Sequence, residues 1–155
     1  MPVFDFLHWN KEQGDTLEST GPLIQVEVGL PAALEEFCAV KGIQIPAPVA
    51  GYALIDTGAS ITAVHEPVLL GLGMLPIDAM PCATPSGEGR SFVYPAKVAF
   101  PALGVREYAI DRLLGCELKW TTTDGKEIIM LLGRDLLKHF LMVYNGKGSS
   151  ITLAY

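Results

Sequence analysis

Apolar and polar residues alternate in short periods along most of the chain. "PLIQVEVGL" switches between the two from Ile24 to Val28, the two-residue period of a half-buried strand. "PAALEEFCAVKG" follows, with Pro31 early and Gly42 late. That asymmetry predicts a short helix with Ala33, Leu34, Phe37 and Val40 along one face. "IQIPAPVAGYALI" returns to β character, and "ITAV" is a β-branched run. "EPVLLGLG" predicts one or two helical turns stopped by Gly71 and Gly73. Two extended segments flank a Pro/Ser/Gly-rich tip between Ile77 and Phe100, which predicts a hairpin. "ELKWTTTDGKEIIMLL" predicts a second hairpin, with Asp124-Gly125 as a primed turn. "GRDLLKHF" reads as a short amphipathic helix, and "LMVYNGKGSSITLAY" as a last hairpin around Asn145-Gly146. The sum is an all-β class with a few short helices, a barrel or sandwich rather than a βαβ fold. Residues 1–20 are polar after an aromatic-rich start. They predict a loosely attached N-terminal arm, with Phe4, Phe6 and Trp9 available to dock, ahead of one domain over 21–155.

Composition narrows the functional classes. At 155 residues one domain with a real hydrophobic core is expected. Half the residues are apolar and 18% are charged, which excludes a disordered chain. The net charge of −6, with no basic stripe, excludes nucleic acid as a partner. No apolar run spans a bilayer and the start has no cationic segment, so neither a membrane nor a signal peptide is expected. Cys38, Cys82 and Cys116 are odd in number and widely spaced, which fits neither a disulfide framework nor a zinc site. Reduced thiols in a cytoplasmic protein are the expectation. His8, His65 and His139 are scattered without acids at ligand spacing, so no metal and no cofactor are expected.

The candidate chemistry sits in "ALIDTGAS", Ala53 to Ser60. Asp-Thr-Gly alone is weak, since chance places it in roughly one chain in thirty of this length. The plain alternative is a turn whose Asp bonds backbone amides. The flanks are apolar, however, where a surface turn is usually flanked by more polar residues. Asp56 is therefore expected at the floor of a partly buried cleft. Thr57 can lock the loop by hydrogen bonding, and Gly58 allows a tight turn that brings its amide to the carboxylate. Further on, "IIMLLGRDLL" runs an apolar strand into Gly133 and straight into a helix.

Together these segments resemble the retropepsin-like aspartic peptidases. The matching residues are "LIDTGAS" (Leu54 to Ser60), "TPSG" (Thr84 to Gly87), "LLGRDLL" (Leu131 to Leu137) and "YNG" (Tyr144 to Gly146), in the family's order over about Pro22 to Tyr155. The resemblance implies a closed β-barrel that works as a homodimer on a polypeptide substrate, without metal or cofactor. It implies Asp56 as the catalytic carboxylate, supported by Thr57, Gly58 and Ala59. It implies a flap from about Met80 to Tyr94 carrying Thr84, Pro85, Ser86 and Gly87, with a tip from Pro85 to Arg90. It gives Gly133, Arg134 and Asp135 a structural or dimer role, and brings Leu54, Val64 and Leu131 toward substrate pockets. Many viral members have an acid where this chain has Ser60, and that acid pairs with the arginine matching Arg134. Here Arg134 is left to find another acid or to bond backbone carbonyls. The rival readings are a peptide-binding or assembly module of the same fold with little turnover, and a monomeric barrel with a chance motif.

Overall fold

The computed structural model describes residues 1–84, 87–118 and 120–155. The strands are β1 (Val3–Leu7), β2 (Trp9–Asn10), β3 (Gly14–Asp15), β4 (Leu23–Gly29), β5 (Val49–Ile55), β6 (Ala63–His65), β7 (Asp78–Thr84), β8 (Gly87–Phe100), β9 (Val105–Cys116), β10 (Trp120–Thr121), β11 (Glu127–Leu132), β12 (Leu141–Asn145) and β13 (Ser150–Ala154). The helices are α1 (Thr16–Ser19), α2 (Ala32–Lys41), α3 (Glu66–Gly71) and α4 (Arg134–Leu137).

The alternation in β4 has the expected physical basis: Ile24, Val26 and Val28 are buried while Gln25 is exposed. Their inward faces meet Ala53, Ile55, Val64, Tyr94, Met130 and Leu132 in one core. Strands β11, β5, β4, β8, β9 and β6 pair in that order, and β6 pairs back onto β11. The ring is a closed six-stranded barrel, and closure leaves no free edge in the ring. Two of its pairings, β5 with β11 and β6 with β9, are parallel, so hairpins alone do not build it. The alternative of a sandwich is thereby removed.

The N-terminal segment is not a loose arm. β1 pairs antiparallel with β13 from Val3↔Ala154 to Leu7↔Ser150, and β12 flanks β13 on its other side. Leu17 is buried in the main core, a contribution of about 2 kcal/mol. His8 is buried too. Its Nε2 accepts from the Leu23 N–H at 2.9 Å, and its Nδ1 lies 3.2 Å from Phe6 O. With Nε2 as acceptor, the ring proton sits on Nδ1 and points at that carbonyl. No local signal in the sequence marks His8, because its partner lies 15 residues away. His8→Ala strands the Leu23 N–H and is expected to cost about 2 kcal/mol in urea unfolding. An unchanged midpoint would remove the ring from this role.

Other local expectations change in informative ways. α2 starts after Pro31 and ends at a left-handed Gly42 (φ 66°), as predicted. Its inward residues are Leu34 and Cys38, however, while Phe37 and Val40 are exposed. The Glu35–Lys97 ion pair ties the same side of the helix to β8. The predicted primed turn at Asp124-Gly125 does not form. Gly125 has φ 82°, yet Asp124 keeps a negative φ, whereas a type I′ turn needs both positive. The loop instead closes by Gly125 N–H to Thr122 O and Thr122 N–H to Lys126 O. At the last hairpin the loop runs from Gly146 to Ser149, with the Asn145 carboxamide accepting from Gly148 N–H. Val64 is fully buried and does not line a surface pocket. Gly87 to Arg90 belong to β8 and pair with β7, so the hairpin tip is narrower than expected. Pro85 and Ser86 lie outside the described residues. The three cysteines are free thiols, half-buried against the core rather than within it. Among the described residues no helix is long and apolar enough to cross a membrane.

Candidate active site

Asp56 stands where β5 leaves the barrel wall. Ala53 and Ile55 anchor the strand in the core, and the last parallel pair with β11 is Ile55↔Leu132. The Asp56 N–H then donates to Leu132 O at 3.0 Å, so the acid is fixed at its backbone before the chain turns. Its Oδ1 accepts from the Gly58 N–H at 2.8 Å and the Ala59 N–H at 3.2 Å. This is the Asx-type turn that the plain reading expected. It uses only one carboxylate oxygen: among the described residues nothing in the chain bonds Oδ2. Asp56 is half-buried and Gly58 is exposed. A Cβ on Gly58 would lie 3.0 Å from Asp56 Oδ1, so a larger residue presses on the carboxylate and displaces it by a few tenths of an ångström. Thr57 is exposed, and its hydroxyl bonds nothing within the chain among the described residues.

The start of α4 clamps this loop from behind. Gly133 passes so close to the segment after the loop that a Cβ would meet Ile61 C at 2.7 Å and Thr62 N at 2.8 Å. Its N–H donates to Thr62 Oγ1 at 3.1 Å. The Thr62 hydroxyl in turn donates to Asp135 Oδ1 at 2.7 Å, and the Thr62 N–H lies 2.9 and 3.0 Å from the two carboxylate oxygens. Leu136 N–H adds a further bond to Asp135 Oδ1 at 3.0 Å. Arg134 bonds backbone carbonyls and not an acid: Nη1 donates to Thr57 O at 2.6 Å and to Gly58 O at 3.0 Å. Its own N–H holds Ala59 O at 2.9 Å.

Seven of the residues singled out from the sequence therefore meet in one place: Asp56, Thr57, Gly58 and Ala59 with Gly133, Arg134 and Asp135. The hairpin end at Thr84 and Gly87 pairs with itself. Thr62 was missed. It lay inside a β-branched run, and its partner Asp135 is 73 residues away, so no local signal marked it. Asp135→Ala would leave the buried Thr62 N–H and hydroxyl short of an acceptor, while the Leu136 N–H keeps Gly133 O at 3.2 Å. A cost of about 3 kcal/mol is expected, lowering Tm by roughly 6–12 °C. A calorimetric Tm that does not move would mean that water replaces the carboxylate.

Burial, with Cys82 and Glu66 adding to it, pushes the Cys116 thiol up to about 11, so little thiolate forms near neutrality. His65 Nδ1 is taken by the Leu118 N–H. Among the described residues no three His, Cys, Asp or Glu side chains are grouped to hold a metal ion. A cavity of about 340 Å³ beside His8, Trp9, Tyr52 and Lys126 does not include Asp56.

No protein-family model matches the chain, and no curated protein does. Among solved structures it is similar to a retropepsin-like aspartic protease from Rickettsia conorii, at 16% identity and a TM-score of 0.51, over 99% of this chain and 92% of that one. The simian foamy virus (mac) protease overlaps at 20% identity and a TM-score of 0.44, over 76% of this chain and 92% of that one. That second overlap is too loose to add to the fold assignment. With the closed barrel, its parallel closures and the Asp56 loop crossed by Gly133, the chain has the fold of the retropepsin-like aspartic proteases.

Proposed function

We propose that the chain is one half of a homodimeric aspartic endopeptidase. The observation that carries this reading is the Asp56 carboxylate, held through Oδ1 by two loop amides with Oδ2 left unclaimed among the described residues. A turn-forming Asp needs only the first feature. A reacting carboxylate needs both, a fixed position and a free oxygen.

One carboxylate cannot act as general acid and general base in the same step. The chain contains one Asp-Thr-Gly and no Asp-Ser-Gly. A two-fold axis that brings Asp56 beside its counterpart in a second copy completes the site. Two carboxyls about 3 Å apart cannot both ionise easily, so they share one proton. The ionised member takes a proton from a bound water, and the water oxygen attacks the peptide carbonyl carbon. The protonated member gives its proton to the forming oxyanion. As the tetrahedral intermediate collapses, the C–N bond breaks, the carboxyl that took the water's proton gives it to the leaving amine, and one hydroxyl of the intermediate returns its proton to the other carboxylate, which restores the singly protonated pair. In this reading the free Thr57 hydroxyl reaches across the axis, and the β7–β8 hairpin closes over an extended polypeptide as a flap.

The test is cleavage of a peptide library over a range of chain concentrations. Activity per chain is expected to be favoured by acid and to fall on dilution as dimers dissociate. Undiminished activity from a chain that sediments as a monomer would sink the proposal. A dimer that binds peptides without cutting them would instead identify a binding module.

A further inference from the structure

The bonds made by Arg134 select two particular peptide groups. The Thr57 carbonyl and the Gly58 N–H belong to one peptide group, and the Gly58 carbonyl and the Ala59 N–H belong to the next. Arg134 Nη1 donates to both carbonyls, at 2.6 and 3.0 Å. The N–H groups at the far ends of the same two peptides donate to Asp56 Oδ1, at 2.8 and 3.2 Å. A cation thus sits at one end of each peptide and the carboxylate at the other. The Arg134 N–H holds the next carbonyl, Ala59 O, so three successive carbonyls of the loop are bound by one residue.

We infer that Arg134 is a positioning residue for Asp56, acting through the two peptide groups that hold the carboxylate. The inference rests on Asp56 being the reacting acid. Hydrogen bonds in series polarise one another, so a cation on a carbonyl strengthens the N–H of that peptide as a donor. The same contacts stop either peptide from rotating, which keeps Oδ1 engaged and Oδ2 free. The charged groups at this loop, other than Asp56, are Arg134 and Asp135. Asp135 is turned to Thr62 and Leu136, and the ion pairs among the described residues do not include Arg134. An exposed guanidinium is partly screened by water, so its charge effect is modest and its geometric effect the larger.

Two variants test the inference, Arg134→Met and Arg134→Lys. In Arg134→Met the Gly58 and Ala59 amide protons are expected to move upfield in nitrogen-15-resolved spectra, a readout that needs no peptidase activity. For cleavage, kcat is expected to fall about tenfold with KM nearly unchanged. Arg134→Lys keeps the charge but stops about a bond short and loses the planar fork. It should displace the same resonances by a smaller amount. A folded Arg134→Met with both amide resonances unmoved would overturn the inference. If that variant does not fold, Arg134→Lys decides: displaced resonances support the inference and unmoved ones overturn it. If wild type cuts no peptide, the peptidase reading fails, and the amide resonances still report whether Arg134 holds the loop.

Discussion

Asp56→Asn is expected to lower kcat by at least about a thousandfold, with stability changed by less than about 1 kcal/mol. An Asn at this site has the same shape and keeps an oxygen for the Gly58 and Ala59 amides. The loop should therefore stand, and what disappears is the ability to take or give a proton. Dimerisation should not weaken, since two neutral amides no longer have to share a proton to relieve repulsion. Mixing supplies the sharper measurement. When equal amounts of wild type and variant exchange freely, about a quarter of the dimers contain two aspartates. Total activity should then fall to about half of what the wild-type chains give alone. Activity that stays equal to that of the wild-type chains alone would mean that each chain works by itself, and the dyad would be lost with it.

Gly133→Ala is the substitution expected to damage the fold most, by more than about 4 kcal/mol. The atoms in the way are backbone: Ile61 C at 2.7 Å, Thr62 N at 2.8 Å and Ile61 O at 2.9 Å. No side-chain rotation relieves such a clash. Either α4 or the segment after the Asp56 loop must move, and the Gly133–Thr62 and Thr62–Asp135 bonds go with it. Thermal unfolding should show a fall of about 10 °C or more. Gly71→Ala is the matching control, because no atom lies within 4 Å of its added Cβ and its φ is ordinary. In α3 it should be neutral or stabilise by up to about 1 kcal/mol. Equal effects at the two glycines would mean that the crossing is looser than the distances imply.

The features legible in the sequence are those whose causes are local. The two-residue period of β4 comes from residues one and two apart, and it survives in the folded strand. The Asp56 turn is local as well, since its bonds reach two and three residues ahead. For α2, Pro31 and Gly42 marked the ends because caps act within a turn. Which face of α2 packs inward is decided by the position of the barrel, because its apolar residues Leu34, Phe37, Cys38 and Val40 do not all lie on the packed side. The Asn-Gly and Asp-Gly pairs marked the hairpins but not their loop types, since the strand register they join also selects the turn.

By itself, then, the sequence determined the β-rich class, the hairpin order and a single acid presented at the end of an apolar strand. Tertiary structure alone decided how that acid is held. Arg134 reaches the Thr57 carbonyl across 77 residues, Thr62 meets Asp135 across 73, and Asp5 of the supposed arm bonds Thr152 across 147. Such contacts have no period and no spacing rule. The Asp5 bond follows from the antiparallel pairing of β1 with β13. The other two exist because two parallel strand pairings close the barrel, bringing the end of β5 and the end of β11 side by side and crossing their following loops at Gly133.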